Sequence, residues 1–464
     1  MSSIIQELDV PPRTLRWLAT GCPERYPVLL ESAVAGPLSA YSILLGSPRA
    51  ALWLDRDGRL GAEGMTPASN DFLTALERWW LLEGAPGRRL DNLTVRAPFR
   101  GGWAIFLSYE IAAQIEPKLR LPPSSLPWQA FALRTPCALI HELSSGRVYA
   151  VGEPDAAERV KRLVADARHV ARQGEPASHS VMADAVVEEA EEAYLERVVR
   201  AKEYIQAGDI YQANLSRPWR IELTHEPDAG TLYERLCRAN PAPFAALSQW
   251  RGLRILSSSP ERLLRVEDGR VQTRPIAGTR PRSPGRDHDL QEIHALAAHP
   301  KERAEHIMLI DLERNDLGRV CRPGSVRVDE LMSIESYAHV HHIVSNVTGR
   351  LREDVTPIAA LRAVFPGGTI TGCPKVRCMQ LIAMLEGEAR GAYTGSLGFL
   401  GCDGTMDLNI LIRTMTLSGR VLELRAGAGI VADSDPRREL EETRAKAKGL
   451  LAAVDRKRHT TSTA

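Results

Sequence analysis

The sequence predicts an α+β protein whose sheets are antiparallel, and three observations point there. Near the C-terminus, Tyr393 to Leu400, Met406 to Leu417 and Val421 to Ala426 read as strands joined by Gly-containing turns, a meander rather than βαβ units. Asp268-Gly269 stands between apolar runs as a two-residue type I′ hairpin turn. With 464 residues, 44% apolar and 25% charged, the chain can bury a large core without disulfides or a structural metal.

In chain order, the first segment shows short apolar runs, Tyr26 to Leu30, Tyr41 to Leu45 and Ala51 to Leu54, cut by Gly and Pro. Gln173 to Ser180 is polar and helix-breaking, and Val186 to Ala201 follows as an acidic amphipathic helix. This divides the chain into regions 1–185 and 186–455, with 456–464 (RKRHTTSTA) a disordered tail. Ile255 to Ser259 and Leu263 to Val266 lead into the hairpin turn, and Val271 to Ile276 leads out. Counting outward from the turn pairs Glu267 with Arg270 and ends with Glu261 facing Ile276, beside Ala277.

Charge excludes several functions. Lys plus Arg number 59 against 58 Asp plus Glu, a net +1, so no field holds a polyanion, and nucleic acid and membrane surfaces are not expected partners. No apolar run approaches the roughly 18 residues that span a bilayer, and the start lacks a secretory pattern, so a cytoplasmic protein is expected. Seven scattered cysteines without a C-x-x-C pair read as reduced packing residues.

The stretch His299 to Leu312 is helix-like and sets Glu302, Glu305 and His306 at spacings of three and four. The helix from Pro436 does the same with Glu439, Glu442 and Lys446. Such spacing suits solvated ion pairs, and equally a carboxylate set for a hard cation such as Mg2+, given the Gly-rich strands nearby. Gly427 to Ala432 fits G-x-G-x-x-A but lacks the second parallel strand of a dinucleotide site, so we read a glycine loop receiving a small anion at a helix N-terminus. Among His339, His341 and His342, strand alternation throws His342 to the opposite face, which argues against zinc. No nucleophile elbow or P-loop is present.

Taken together, GDIYQANLSR (208–217), SSSPERLL (257–264), RPIAGTRPR (274–282), KERAEHIMLIDLERNDLGR (301–319), HVHHIVS (339–345), FPGGTITGCPKVR (365–377) and GAGIVADSDPRRELEET (427–443) resemble the chorismate-utilising enzymes. LLES (29–32) and GGWAIFLSYE (101–110) extend the resemblance into the first segment. It implies two large antiparallel sheets packed face to face with helices outside. It also implies Mg2+ on Glu305 and Glu442, with Glu302 and Glu439 behind them through water. Tyr393 and Arg413 would bind the enolpyruvyl carboxylate, and Lys446 with the N–H groups around Gly427 and Gly429 the ring carboxylate. Glu261 matches the acid that protonates the departing C4 hydroxyl, His342 the active-site histidine, and Thr369 a polar contact near the ring. A tryptophan pocket lined by Leu30, Ser32, Pro241 and Phe244 is implied as well.

Within that family, isochorismate and salicylate synthases resemble each other in a lysine base where this chain has Gln212, and a neutral amide cannot take a proton from water. That leaves the ammonia users. Asn214 and FPGGTITG resemble aminodeoxychorismate synthase component I, whereas Ala277 in P-I-A-G-T, together with LLES, resembles anthranilate synthase component I. The expectation adopted is amination of chorismate at C4, toward 4-aminobenzoate and folate, with anthranilate synthesis as the alternative. No glutaminase signature is present, so ammonia is expected from a separate glutamine amidotransferase subunit or from solution.

Overall fold

The computed structural model describes residues 3–34, 36, 38–84, 97–176, 180–282, 285–337 and 340–456. Among them, strands gather into two sheets, one of 13 strands and one of 11. The larger runs in spatial order through Ile4–Leu8, Arg147–Gly152, Cys137–Glu142, Tyr41–Gly46, Val28–Glu31, Phe244–Trp250, Leu253–Ser259, Thr414–Ser418, Val421–Ile430, Gln212–Leu223 and Met182–Glu188. The smaller runs through Ile276–Pro281, Val340–Arg350, Arg270–Thr273, Arg262–Glu267, Met406–Asn409, Ser396–Gly401, Gly102–Leu107, Trp128–Thr135, Ala50–Asp55 and Leu60–Glu63. The ladders are antiparallel, apart from a short parallel contact of Asp455–Arg456 with Met182 and Ala183. The α+β class with two antiparallel sheets is therefore the observed one.

Alternation along the strands explains the layers. In Gly102–Leu107, Ala104 and Phe106 enter a core shared with Ile43, Leu45, Ile140 and Ile255 of the larger sheet. Trp103, Ile105 and Leu107 face the other way, into a core with the helices Phe72–Glu83 and Pro357–Val364. On the larger sheet, Leu44 and Leu139 meet the helices Thr14–Gly21, Ala157–Gln173 and Ala229–Ala239. Strands covered on both faces carry near-continuous apolar runs, which is why these segments lack a polar stripe. Each large side chain so buried contributes about 1.5–3 kcal/mol.

Three local expectations change. Residue 185 lies inside the strand Met182–Glu188, paired with Gln212–Leu223, and marks no break. Both sheets draw on both regions: Val28–Glu31 pairs Phe244–Trp250, and Gly102–Leu107 pairs Ser396–Gly401. The helix expected from Val186 begins instead at Glu191 and runs to Gln206, because Val186 and Val187 pair with Ile221 and Arg220 while Glu191 and Glu192 occupy the first turn, where the helix dipole favours them. Of the tail, Arg456 closes the short parallel strand, and 457–464 lie outside the described residues.

The third change matters most for the site. The run Met406 to Leu417 is not one strand: Met406–Asn409 belongs to the smaller sheet and Thr414–Ser418 to the larger. Beside it, Leu253–Ser259 and Arg262–Glu267 also lie in different sheets, the chain crossing at Pro260-Glu261. The two crossings are tied together, Ile410 N–H donating to Glu261 O at 3.0 Å and Ser258 N–H to Arg413 O at 3.1 Å. The turn is as expected, with Asp268 and Gly269 at φ of 50° and 70° and Glu267 opposite Arg270, but the ladder ends at Arg265–Gln272 and Ile276 opens a separate strand paired with Val340–Arg350. Among the described residues, no helix is long and apolar enough to cross a membrane.

Because the first region supplies inner strands to both sheets, a fragment 186–464 expressed alone should show no cooperative thermal unfolding by circular dichroism. Co-expressed with 1–185, it should recover that transition.

Candidate active site

Glu261 sits where the chain leaves one sheet for the other. It is 5% exposed, and Thr369 Oγ1 donates to its Oε1 at 2.8 Å. The amide of Ile276 also hydrogen-bonds the carboxyl, which brings the two residues of the hairpin count together through the Glu261 side chain, with buried Ala277 next in line. Burial drives the Glu261 pKa up from 4.5 to about 8; Thr369, the Ile276 amide and Lys446 pull the other way, and Glu313 adds like charge. At neutral pH this carboxyl holds its proton.

Opposite it, Arg413 occupies the second crossing in a left-handed conformation, φ 51°, which a non-glycine residue adopts only under constraint. Its guanidinium makes no ion pair or side-chain hydrogen bond among the described residues, and burial lowers its pKa against the opposing influence of Tyr393 and Glu442. An under-compensated, half-buried guanidinium is a place for a ligand carboxylate. Buried Tyr393 reaches toward Asn214 Oδ1 at 3.5 Å, and burial raises its hydroxyl to about 12. Behind them, Glu386 pairs with Arg390 at 2.7 Å and Arg425 at 3.3 Å; both guanidiniums hold it ionised despite burial. Arg390 in turn donates to Asn214 O at 2.6 Å and Ile370 O at 3.1 Å.

Gly427 and Gly429 lie within the strand Val421–Ile430, in register with Ser216 and Asn214, and not in a loop. The helix Pro436–Leu451 starts later and is capped by its own Asp435. The glycines are required by crowding: a Cβ on Gly427 would lie 2.6 Å from Tyr393 Oη and 2.8 Å from Asn214 Oδ1, and one on Gly429 would lie 2.4 Å from Gln212 Nε2. Lys446 donates to Gly427 O at 2.9 Å and pairs with Glu442 at 2.6 Å. Gln212 is 7% exposed, and its Oε1 has no hydrogen-bond partner among the described residues.

On the helix Pro300–Gly318, Glu302 and Glu305 are half-buried, whereas His306 turns inward to Ser345 at 2.7 Å, so the three do not share one environment. A Cβ on Gly278 would lie 2.9 Å from Glu302 Oε2, and the same Gly278 backbone bonds His342. Burial, with Arg413 nearby, drops His342 to about 4, leaving it neutral. His341 bonds Ser336 and Asp289 on the other face, as alternation requires; His339 lies outside the described residues. Glu439 is buried and Glu442 half exposed. Among the described residues no three His, Cys, Asp or Glu side chains converge as a metal cage.

Leu30, Ser32 and Phe244 line a cavity of about 940 Å³ together with Glu31, Tyr41 and Asn409. Pro241 does not line it; of that segment's prolines, Pro243 does. Glu261 does not border it.

The model of the chorismate binding enzymes matches residues 49–452. The chain belongs to that family. It is 42% identical over 414 residues to an anthranilate synthase component 1 of Streptomyces coelicolor, covering 84% of this chain and 79% of that one. It is 39% identical to the Thermus thermophilus protein of the same name, covering 98% and 97%. An aminodeoxychorismate synthase of Streptomyces griseus is 35% identical, over 96% of this chain and 65% of that one. Among solved structures, anthranilate synthase component I from Streptococcus pneumoniae superposes with a TM-score of 0.78 at 29% identity, covering 90% and 93%.

For this chorismate binding enzyme, the Glu386–Arg390–Arg425 triad went unread in the sequence. Glu386 and Arg390 stand four apart, but Gly387 ends the helix between them, so helix spacing does not advertise the pair. Gln212 entered only as evidence against water activation.

The raised Glu261 pKa has two consequences. From pH 4.5 to 8 the folded chain holds a proton the unfolded chain releases, so stability falls as pH rises through that window. Glu261→Gln should flatten that slope in urea unfolding at several pH values. With Glu261 as the general acid that the resemblance implies, the same variant should lose about a hundredfold or more in kcat for chorismate turnover.

Proposed function

We propose that this chain is the ammonia-using component of an anthranilate synthase. Ammonia adds at chorismate C2, the ring double bonds shift, and the C4 hydroxyl leaves as water on the proton of Glu261. Loss of pyruvate and of the C2 proton then gives anthranilate. One observation carries the choice: Ala277, beside Glu261, has a methyl group and no nucleophile, so no covalent adduct forms from this position. The names of the two relatives at 42% and 39% identity support it, and they count against the C4 reading drawn from Asn214 and FPGGTITG. Arg413 and Tyr393 take the enolpyruvyl carboxylate, and Lys446 the ring carboxylate.

Glu302, Glu305, Glu439 and Glu442 offer oxygen donors alone, the donor type that would suit Mg2+ with water and substrate completing its shell. We assign Glu305 and Glu442 as its direct ligands, with Glu302 and Glu439 behind; the cation supplies charge neutralisation for the substrate carboxylate. A glutamine amidotransferase subunit supplies the ammonia, in keeping with the component names of the relatives. Tryptophan, the end product of such a route, occupies the cavity at Leu30, Ser32 and Phe244.

Purified chain with chorismate, Mg2+ and an ammonium salt should yield fluorescent anthranilate; 4-amino-4-deoxychorismate as main product would reverse the choice of C2 over C4. Excess EDTA should abolish turnover, and Glu442→Gln should lower it at least about a hundredfold with the fold intact. Calorimetry on protein freed of endogenous ligand should show one tryptophan bound per chain, weakened about tenfold or more by Phe244→Ala.

A further inference from the structure

Behind Glu261 lies a second buried carboxyl that the reaction as described leaves unused. Glu313, on the helix Pro300–Gly318, is 4% exposed, and its Oε2 has no hydrogen-bond partner among the described residues. The Gly368 amide and the Thr273 hydroxyl both approach its carboxyl and favour its ionised form. The short turn Gly368–Ile370 is pressed onto this helix: a Cβ on Gly368 would lie 3.2 Å from Leu312 Cβ and 3.3 Å from Glu313 Oε1. The next residue along, Thr369, is the donor to Glu261.

We propose that Glu313 is a positioning residue for the acid: it anchors the Gly368–Ile370 turn so that Thr369 meets Glu261, and it places a like charge behind that carboxyl. The inference rests on the reading of Glu261 as the acid. Lys375, the nearest cation, is taken by Asp316 and by Val364 O at 2.9 Å, and so does not pair Glu313. Thr273, the Gly368 amide, Asp316 and Lys375 face Glu313, with Arg319 near Asp316; Thr369, the Ile276 amide, Glu313 and Lys446 face Glu261. Burial and the like charge of Asp316 raise Glu313, and Glu313 in turn raises Glu261, so a charge on Glu313 opposes loss of the Glu261 proton.

The test follows chorismate consumption, so product identity does not enter. Glu313→Gln keeps an acceptor for the Gly368 amide and removes the charge. Its kcat at neutral pH should stay within about threefold, while the alkaline limb of its kcat/KM profile moves about half a unit or more to lower pH. Glu313→Leu removes the acceptor; kcat should fall about tenfold with KM within about threefold, and adding Thr369→Val should cost nothing further, since both act through one hydrogen bond. An unmoved alkaline limb in Glu313→Gln, or losses that multiply in the double variant, overturns the proposal. Should the leucine variant fail to fold, the glutamine profile decides alone. Glu261→Gln run in parallel separates the readings: if it stays active the acid assignment fails, and if it is inactive while Glu313→Gln keeps the wild-type profile only this inference fails.

Discussion

One buried carboxylate between two guanidiniums holds the site in shape. Glu386 accepts from Arg390, from Arg425, and from the amide and hydroxyl of Ser216, so each of its oxygens is engaged away from water. Arg390 extends the same network to Asn214 and Ile370, and its own amide donates to Glu110 at 2.9 Å. Five segments distant in sequence therefore meet at one point: the strand Gln212–Leu223, the strand Val421–Ile430, the turn Gly368–Ile370, the turn carrying Tyr393, and the segment at Glu110. Buried ion pairs are weak contributors to net stability, yet breaking one by removing a partner costs about 3–5 kcal/mol. What this network supplies is position. Tyr393, Asn214 and Thr369 all hang from elements that it fixes.

The electrostatic pattern follows from that geometry. Glu261 and His342 are both buried near the crossings, and burial neutralises each in its own direction, the acid by keeping a proton and the base by refusing one. Arg413 cannot be neutralised so easily and is left with a surplus of positive charge in a partly dry place. A neutral acid, a neutral imidazole and an under-compensated cation leave this region electrostatically prepared for an anion. The Glu–Lys pairs at its rim, such as Glu442 with Lys446, are the parts that remain half in water.

Much of this was legible before the fold was in hand, and the reasons are local. The hairpin count worked near the turn because a type I′ turn fixes register as far as Arg265 and Gln272; that the Glu261 side chain then meets the Ile276 amide depends on the chain's crossing between sheets. Spacing set Glu302 with Glu305 and Glu439 with Glu442, but not that His306 turns inward to Ser345 or that Glu439 is buried while Glu442 is half exposed. What was not legible depends on long-range choices. Nothing in Met406 to Leu417 says that the chain changes sheets midway; the only local trace is Arg413, a residue type that seldom takes a positive φ. Likewise Gly427 and Gly429 suggest a loop by composition, whereas their smallness answers to Tyr393, Asn214 and Gln212 on neighbouring elements. Val186 and Val187 could serve helix or strand, and the free edge of Gln212–Leu223 decided it.

The pKa of Glu261 also meets a requirement peculiar to the proposed chemistry. Ammonia is a nucleophile only as the free base, and its protonated fraction falls as pH rises; the acid that expels the hydroxyl must meanwhile keep its proton. An ordinary glutamate, half ionised near 4.5, would be spent long before ammonia became available. Lifting it to about 8 moves the upper end of its working range toward the pH at which free ammonia accumulates, and desolvation is the largest cause of that lift. The site therefore has reason to be built where two sheets part. Only there can a carboxyl be buried by both layers and still carry its partners Thr369 and Ile276.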